Sequence, residues 1–245
     1  MTTIIAHRGA SFLAPENTMP AFELAHQMKA EGIETDIQLT SDNIPVIIHD
    51  ENIKRTTNSS GLVKDLTYNQ LKGLDAGSWF SAKYAGASVL RLSDFLAWAS
   101  DKPLQLNLEL KNNKIDYKNL ERIVFDMVEE YKVADRTVFS TFNHSSVERL
   151  KKYNDKVGVA LLTSKKRKNL ASYAKELGAN AIHIKYKLLD KTLVQDCKEE
   201  NLALRVYTVN KIGQIMHCFK MGADGIFTDV PDKALSYRRL YSLKK

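Results

Sequence analysis

Two stretches of alternating side chains carry acidic and basic groups at spacings that allow them to act together. In Gly32–Leu39, a β-strand puts Ile33, Thr35, Ile37 and Leu39 on one face and Glu34, Asp36 and Gln38 on the other. The mostly apolar face needs a cover of helices, so both carboxylates point into whatever the strand encloses. Two like charges that close raise one pKa unless a cation compensates them, and a hard divalent metal takes carboxylate oxygens. Taken alone, the stretch fits an edge strand with one wet face equally well. A second stretch, residues 104–111, alternates without a break: four leucines on one face, then Gln105, Asn107, Glu109 and Lys111 on the other. Two polar-faced strands, each ending in charge, point to strands that converge on one polar site. Glu34, Asp36 and Glu109 are therefore expected to form one metal-binding set, with Lys111 nearby for an anionic ligand.

The elements that must position these groups alternate from end to end. A strand over residues 4–7 precedes a helix over 18–29, where Phe22, Leu24, Ala25 and Met28 recur at helical spacing. Strand 33–39 follows, and 46–49 reads as its extension beyond an Asp42-Asn43 turn. Between 50 and about 91 the alternation stops, in a stretch rich in Gly, Ser, Thr and Asn. It is too long for an ordinary loop and reads as a functional segment or a small inserted subdomain. Helix 93–100 and strand 104–111 resume the pattern, then helix 117–131 and strand 137–142, and helix 145–153 and strand 157–162. Helix 169–177 leads to strand 181–184, helix 191–199 to strand 203–208, helix 212–221 to strand 225–228, and a last helix covers 233–241. Eight strand–helix units predict an α/β fold, a closed (β/α)8 TIM barrel with a small insertion after the second strand, as one domain over 1–245. A doubly wound open sheet is the runner-up, weakened because the sequence has neither a Gly-x-Gly-x-x-Gly turn nor a phosphate-binding Gly-Lys-Ser/Thr loop.

Barrel active sites sit at the C-terminal ends of strands. There the chain sets His7-Arg8, Glu34 and Asp36, His49-Asp50, Glu109 and Lys111, Thr141-Phe142, Tyr207-Thr208 and Thr228-Asp229. A histidine pair beside a metal suits displacement at phosphorus. One imidazole takes a proton from the nucleophile and the other gives one to the leaving alcohol; an ordinary pKa of about 6.5 serves both jobs at neutral pH. Metal and cationic side chains stabilise charge on the non-bridging oxygens, Arg8 as a two-pronged clamp and Lys111 as a point charge.

Composition narrows the field further. Hydrophobic residues make up 44% of the 245 and charged residues 27%, enough for a core and unlike a disordered chain. No apolar stretch approaches the roughly 20 residues of a membrane span, so no stable membrane insertion is expected. The first residues carry neither a basic region nor a long apolar core, which reads as a cytoplasmic protein without a leader. A net charge of +7 raises nucleic acid or a membrane surface as partners. The densest basic run, Lys165-Lys166-Arg167-Lys168, lacks interleaved aromatics, however, so it and the terminal Lys244-Lys245 read as solvated surface, with no nucleic-acid partner. Cys197 and Cys218 lack ligand spacing and read as reduced thiols. Oligomeric state leaves no mark in the sequence.

His7-Arg8-Gly9, Pro15-Glu16-Asn17-Thr18, Glu34-Thr35-Asp36 and the run from Pro45 through His49-Asp50 closely resemble the glycerophosphodiester phosphodiesterases. Arg55-Thr56-Thr57, Leu108-Glu109-Leu110-Lys111, Thr208-Val209-Asn210 and the run from Gly222 to Asp229 continue the match in order. The resemblance implies a barrel with an insertion after the second strand, a bound Mg²⁺ or Ca²⁺, and hydrolysis of a small-molecule glycerophosphodiester to glycerol 3-phosphate and an alcohol. Carried onto this chain, it makes His7 and His49 the acid/base pair, Glu34, Asp36 and Glu109 the metal ligands, and Arg8 and Lys111 the phosphate-holding groups. Tyr207 stands where the family usually has Trp, and its hydroxyl bears on the glycerol pocket. Val89-Leu90-Arg91-Leu92 replaces the family's Ile-Pro-Thr-Leu in a loop. The rival readings are a lysophospholipase D acting on acylated substrates, with Trp79, Phe80 and Tyr84 as an apolar groove, and a non-catalytic module binding phosphodiesters or anionic lipids.

The remaining candidates have plainer readings. His26, His217 and His183 are expected in the core or at the surface. The segment Asn143-His144 is expected to cap a helix, and Asn17 or Thr18 to cap the first helix. Trp79 and Phe80 are expected to pack the insertion, Phe142 to be pocket wall or core, and Glu16 to steady Arg8.

Overall fold

Strand β1 (Thr3–His7) pairs in parallel with β2 (Gly32–Leu39) on one edge and with the last strand, β10 (Gly225–Thr228), on the other. That double pairing closes the sheet. In this computed structural model, which describes residues 1–243, the circle from β2 continues through β5 (Gln105–Leu110), β6 (Thr137–Thr141), β7 (Gly158–Thr163), β8 (Ala181–Lys185) and β9 (Ala203–Tyr207) to β10. Each strand runs parallel to the next. The fold is the expected eight-stranded α/β barrel; Lys244 and Lys245 lie outside the described residues.

Parallel neighbours require crossovers, and the helices supply them. These are α1 (Met19–Gln27), α3 (Leu92–Ala99), α4 (Leu120–Glu130), α5 (His144–Tyr153), α6 (Leu170–Glu176), α7 (Lys191–Glu199) and α8 (Ile212–Met221); the short α2 (Tyr68–Leu71) lies within the insertion and α9 (Pro231–Ser242) follows the last strand. In α4 the buried residues Leu120, Val124, Phe125 and Val128 recur at helical intervals, so one stripe faces the sheet. On β2 every position is buried, because the helices cover the outward face and the barrel encloses the inward one. Ile33, Ile37 and Leu39 join Phe22 of α1 and Phe95 of α3 in the main core, the two rings 4.7 Å apart. Glu34, Asp36 and Gln38 face inward. Among the described residues, no helix is long and apolar enough to cross a membrane.

Residues 46–49 do not extend β2. Strand β3 (Pro45–Ile47) folds back antiparallel onto it, with Ile37 opposite Ile47 and Leu39 opposite Pro45. The reversal is made at Thr40–Ile44, where Asn43 takes a left-handed φ of 58° and the Thr40 hydroxyl accepts from the Ile44 N–H. Asn tolerates that conformation, and two apolar runs around a polar turn are a hairpin signal. The two-residue β4 (Leu90–Arg91) then adds to β3. The insertion therefore leaves and re-enters the barrel at neighbouring strands. It packs a small cluster of its own around Ile53, Val63, Leu71, Ala76 and Val89, which Val46 and Ile48 join.

Two capping expectations fail. Thr18 stands at the N-cap of α1, but its hydroxyl donates to the Pro15 carbonyl instead of accepting from the helix. Asn143 leads α5 without a side-chain cap, its amide donating to the Asn112 carbonyl. Neither side-chain oxygen accepts from a helix N–H among the described residues.

Candidate active site

The site is built first on the inward faces of β2 and β5, whose register places Asp36 beside Glu109. Carboxylate oxygens of Glu34, Asp36 and Glu109 all lie within 4.8 Å of one another. Lys111 Nζ sits 2.8 Å from Glu109 Oε1 and 3.7 Å from Asp36 Oδ1. Arg8 Nε lies 3.1 Å from Asp36 Oδ2. Burial and the charges of Asp36 and Glu109 push the Glu34 carboxyl well above the usual carboxylate range. Burial opposes the Asp36 charge as well, yet Arg8 and Lys111 hold that carboxyl well below its ordinary value. Arg8 and Lys111 are themselves raised, their own burial outweighed by the facing carboxylates.

Whether the trio fits a hard divalent cation is a matter of size and unmet bonding. Oxygens sharing one ion at about 2.0–2.6 Å lie no more than about 5 Å apart, and these meet that limit. Asp36 Oδ1 is buried and accepts no hydrogen bond among the described residues. An orphaned, charged acceptor facing two more carboxylates is what a cation would satisfy. The residues fit.

Both imidazoles of the rim are fixed at the same atom. His7 Nδ1 lies 2.7 Å from Asp229 Oδ1, and His49 Nδ1 lies 2.6 Å from Asp50 Oδ1. Among the described residues neither Nε2 has a hydrogen-bond partner, and both rings line one cavity with Arg8, Glu34, Glu109 and Lys111. His7 Nε2 comes within 4.0 Å of Glu34 Oε2. Asp229 is held below the usual carboxylate range, its burial outweighed by the hydrogen bond from His7. Asp50 falls to about 2, since bonds from Arg55 and His49 outweigh its burial.

Several further residues position these groups, and of them Gln38 and Tyr117 lie outside the stretches that carry the family resemblance. The turn that carries Arg8 needs Gly9 (φ +83°), because a Cβ there would come within 2.6 Å of the α1 backbone at Ala21. Gln38 is buried, and its amide nitrogen donates to the carbonyls of Ile48, His49 and Asp50 at 3.0, 3.1 and 2.8 Å, strapping the His49 segment to β2. Tyr117 donates to Gln38 Oε1 from behind. Asn17 donates to Asp36 Oδ2 and accepts from the Thr35 hydroxyl. Glu16 binds Arg8, as expected, and also Arg55, which reaches on to Asp50 at 2.6 Å. Asn210 bonds both the Asp229 carboxylate and its N–H. The signal for Gln38 was its place on the polar face of β2. Asp50 and Asp229 stood among the rim residues, but their pairing depends on the tertiary fold.

The cavity, about 350 Å³, continues past the charged cluster to Phe142, Leu162, His183, Tyr207 and Phe227. Tyr207 donates to the Thr163 carbonyl at 2.8 Å and meets Phe142 edge-on at 6.2 Å, so Phe142 is pocket wall. His183 is fully buried against Phe227 at 4.8 Å, and that burial depresses its pKa well below the ordinary value. Phe80 meets both Trp79 and Tyr84 edge-on, and none of the three is among the residues lining this cavity. Cys197 and Cys218 are free and buried. Arg167 lies over the Tyr173 ring at 3.5 Å, within an exposed basic run.

A parallel barrel whose strand ends gather three carboxylates, two Asp-anchored imidazoles and two cations defines a hydrolase of the phosphodiester-cleaving class. Comparison with known proteins agrees: the glycerophosphoryl diester phosphodiesterase family model matches residues 7–233, and the chain belongs to that family. Glycerophosphodiester phosphodiesterases of Bacillus altitudinis and Caldanaerobacter subterraneus subsp. tengcongensis are 38% and 36% identical to it, each over 97% of this chain and 98% of the relative. Among solved structures, an Oleispira antarctica phosphodiesterase in complex with the product sn-glycerol-3-phosphate superposes with a TM-score of 0.90 at 29% identity, covering 98% of this chain and 97% of that one.

Proposed function

We propose that the chain hydrolyses glycerophosphodiesters to sn-glycerol 3-phosphate and an alcohol, with a divalent cation, Mg²⁺ or Ca²⁺, held by Glu34, Asp36 and Glu109. The observation that carries this reading is the pair of imidazoles, each tied at Nδ1 to a carboxylate, facing the cavity that the acidic trio also lines. A carboxylate at Nδ1 keeps a neutral ring protonated there and leaves Nε2 as the basic atom; it also stabilises the imidazolium once Nε2 has taken a proton. Of His7 and His49, one removes the proton from the attacking hydroxyl or water and the other, entering protonated, delivers its Nε2 proton to the departing alkoxide. The bound cation supplies Lewis-acid stabilisation of charge on the phosphoryl oxygens. Arg8 and Lys111, paired with carboxylates at the cavity edge, offer N–H donors to those same oxygens. Tyr207 and Phe142 wall the adjoining part of the cavity, where the glycerol moiety would sit.

The test is release of sn-glycerol 3-phosphate from glycerophosphocholine, glycerophosphoethanolamine and glycerophosphoglycerol, with Mg²⁺ and Ca²⁺ supplied separately. Turnover of at least one diester that a chelator abolishes is expected. No release with any head group, or release that survives chelation, overturns the reading.

A further inference from the structure

Beside the cavity mouth runs a ridge of apolar side chains that the site does not use. It begins at Phe12 and Leu13 in the turn after β1, where the Phe12 N–H donates to the Asp229 carbonyl at 3.1 Å. Tyr84 carries it across to the insertion, its hydroxyl donating to the Leu13 carbonyl at 2.8 Å. Phe80 packs edge-on against Tyr84 at 5.8 Å and Trp79 against Phe80 at 5.7 Å. The loop holding these rings closes at Gly77, where any Cβ would overlap the Tyr84 carbonyl. Phe12 is 61% exposed, Leu13 38% and Trp79 40%. Single exposed apolar residues are ordinary on a soluble protein, whereas a contiguous run of them rimmed by charge marks an interaction surface.

Two lysines stand against its rings. Lys233 Nζ lies 5.3 Å from the Phe12 ring and Lys83 Nζ 4.6 Å from the Tyr84 ring. Neither ammonium is ion-paired among the described residues, on a chain of net charge +7. Trp and Tyr rings settle at the headgroup level of a bilayer, long Lys stems reach anionic headgroups, and no spanning helix is needed for such attachment. We propose that this ridge docks the protein peripherally on an anionic lipid bilayer, turning the mouth of the barrel toward the membrane surface.

Co-sedimentation of the full chain with vesicles of phosphatidylcholine, or of an equimolar phosphatidylcholine and phosphatidylglycerol mixture, tests this. Partitioning to the anionic vesicles should exceed that to the neutral ones and fall as salt is raised. Phe12→Ser with Leu13→Ser should weaken it about ten-fold, and Lys83→Glu with Lys233→Glu roughly twenty-fold or more. Hydrolysis of a soluble diester and the melting temperature should stay near wild type in both pairs, which separates lost docking from lost folding. The binding readout does not depend on the hydrolytic reading, so each can fail alone. Absence of partitioning by the wild type, or undiminished partitioning by the Phe12/Leu13 pair, overturns the proposal. So does a ridge-dependent KM for monomeric lysophospholipid without vesicle binding, which would assign the ridge to a substrate acyl chain. A concentration-dependent dimer lost in the same variants, again without vesicle binding, would assign it to a second copy and overturn it too.

Discussion

The two histidines reach the same cavity on different supports. His7 ends barrel strand β1 and its Asp229 follows barrel strand β10, the strand hydrogen-bonded to β1. That anchorage is inherited from the closed sheet. His49 and Asp50 stand in the chain just after β3, outside the barrel ring, and depend on a strap: three bonds from Gln38 and the Arg55–Glu16 bridge. One support is cooperative with the whole fold, while the other is a set of separable side-chain contacts. Two rings proposed for the same kind of proton transfer thus differ in how easily they are disturbed.

Removing the imidazoles gives the largest expected effect and no asymmetry. His7→Ala and His49→Ala should each lower kcat for diester hydrolysis by roughly 10²–10⁴-fold while circular dichroism stays unchanged; near-wild-type turnover in either removes that ring from the mechanism. One step outward the two sides should separate. Asp229→Asn should cost about 10–100-fold in kcat, and Asp50→Asn less, since Gln38 still holds the segment. Equal losses would mean the strap contributes nothing to the aim of His49. Gln38→Leu strands three carbonyls and should cost about 1–3 kcal/mol in urea unfolding, with kcat lowered while the melting-temperature rise on adding Mg²⁺ or Ca²⁺ stays near that of wild type. Arg55→Ala should change stability by no more than about 1 kcal/mol, because that side chain is largely exposed.

The smallest effect is one of pH. Asp50 has a folded pKa of about 2 against an ordinary 3.8. Its stabilisation is therefore fully present above about pH 4 and lost as pH falls through about 2. Acid titrations of wild type and Asp50→Asn should run parallel above pH 4 and converge below it; a gap that persists at pH 2 would mean the carboxylate's charge is not what is lost.

Much of this arrangement was legible because a strand has a period of two. Alternation assigned Glu34, Asp36 and Glu109 to a common side before any neighbour was known, and the structure brings their oxygens together. Direction is not encoded by alternation, so residues 46–49 read as a continuation of β2 when they fold back on it. Pairings across the barrel were hidden for another reason. His7 and Asp229 are 222 positions apart and meet only because β1 closes on β10. Asn17 obeyed a local rule on paper, the preference for a helix cap, but in the folded chain its amide oxygen accepts from the Thr35 hydroxyl and its amide nitrogen donates to the buried Asp36 carboxylate.

One edge of β2 has two tenants. Gly32–Glu34 of that edge belongs to β1 and Ile37–Leu39 to β3, so the hand-over falls across Thr35 and Asp36. At this fork the sheet splits, and Arg8 and Asn17 come in to meet the Asp36 carboxylate. A load placed on Asp36 is therefore felt by the closed ring and by the flap that bears His49 at once. Slowing of amide exchange in β1 and in β3 together, on addition of a divalent ion, would be the signature of that shared joint.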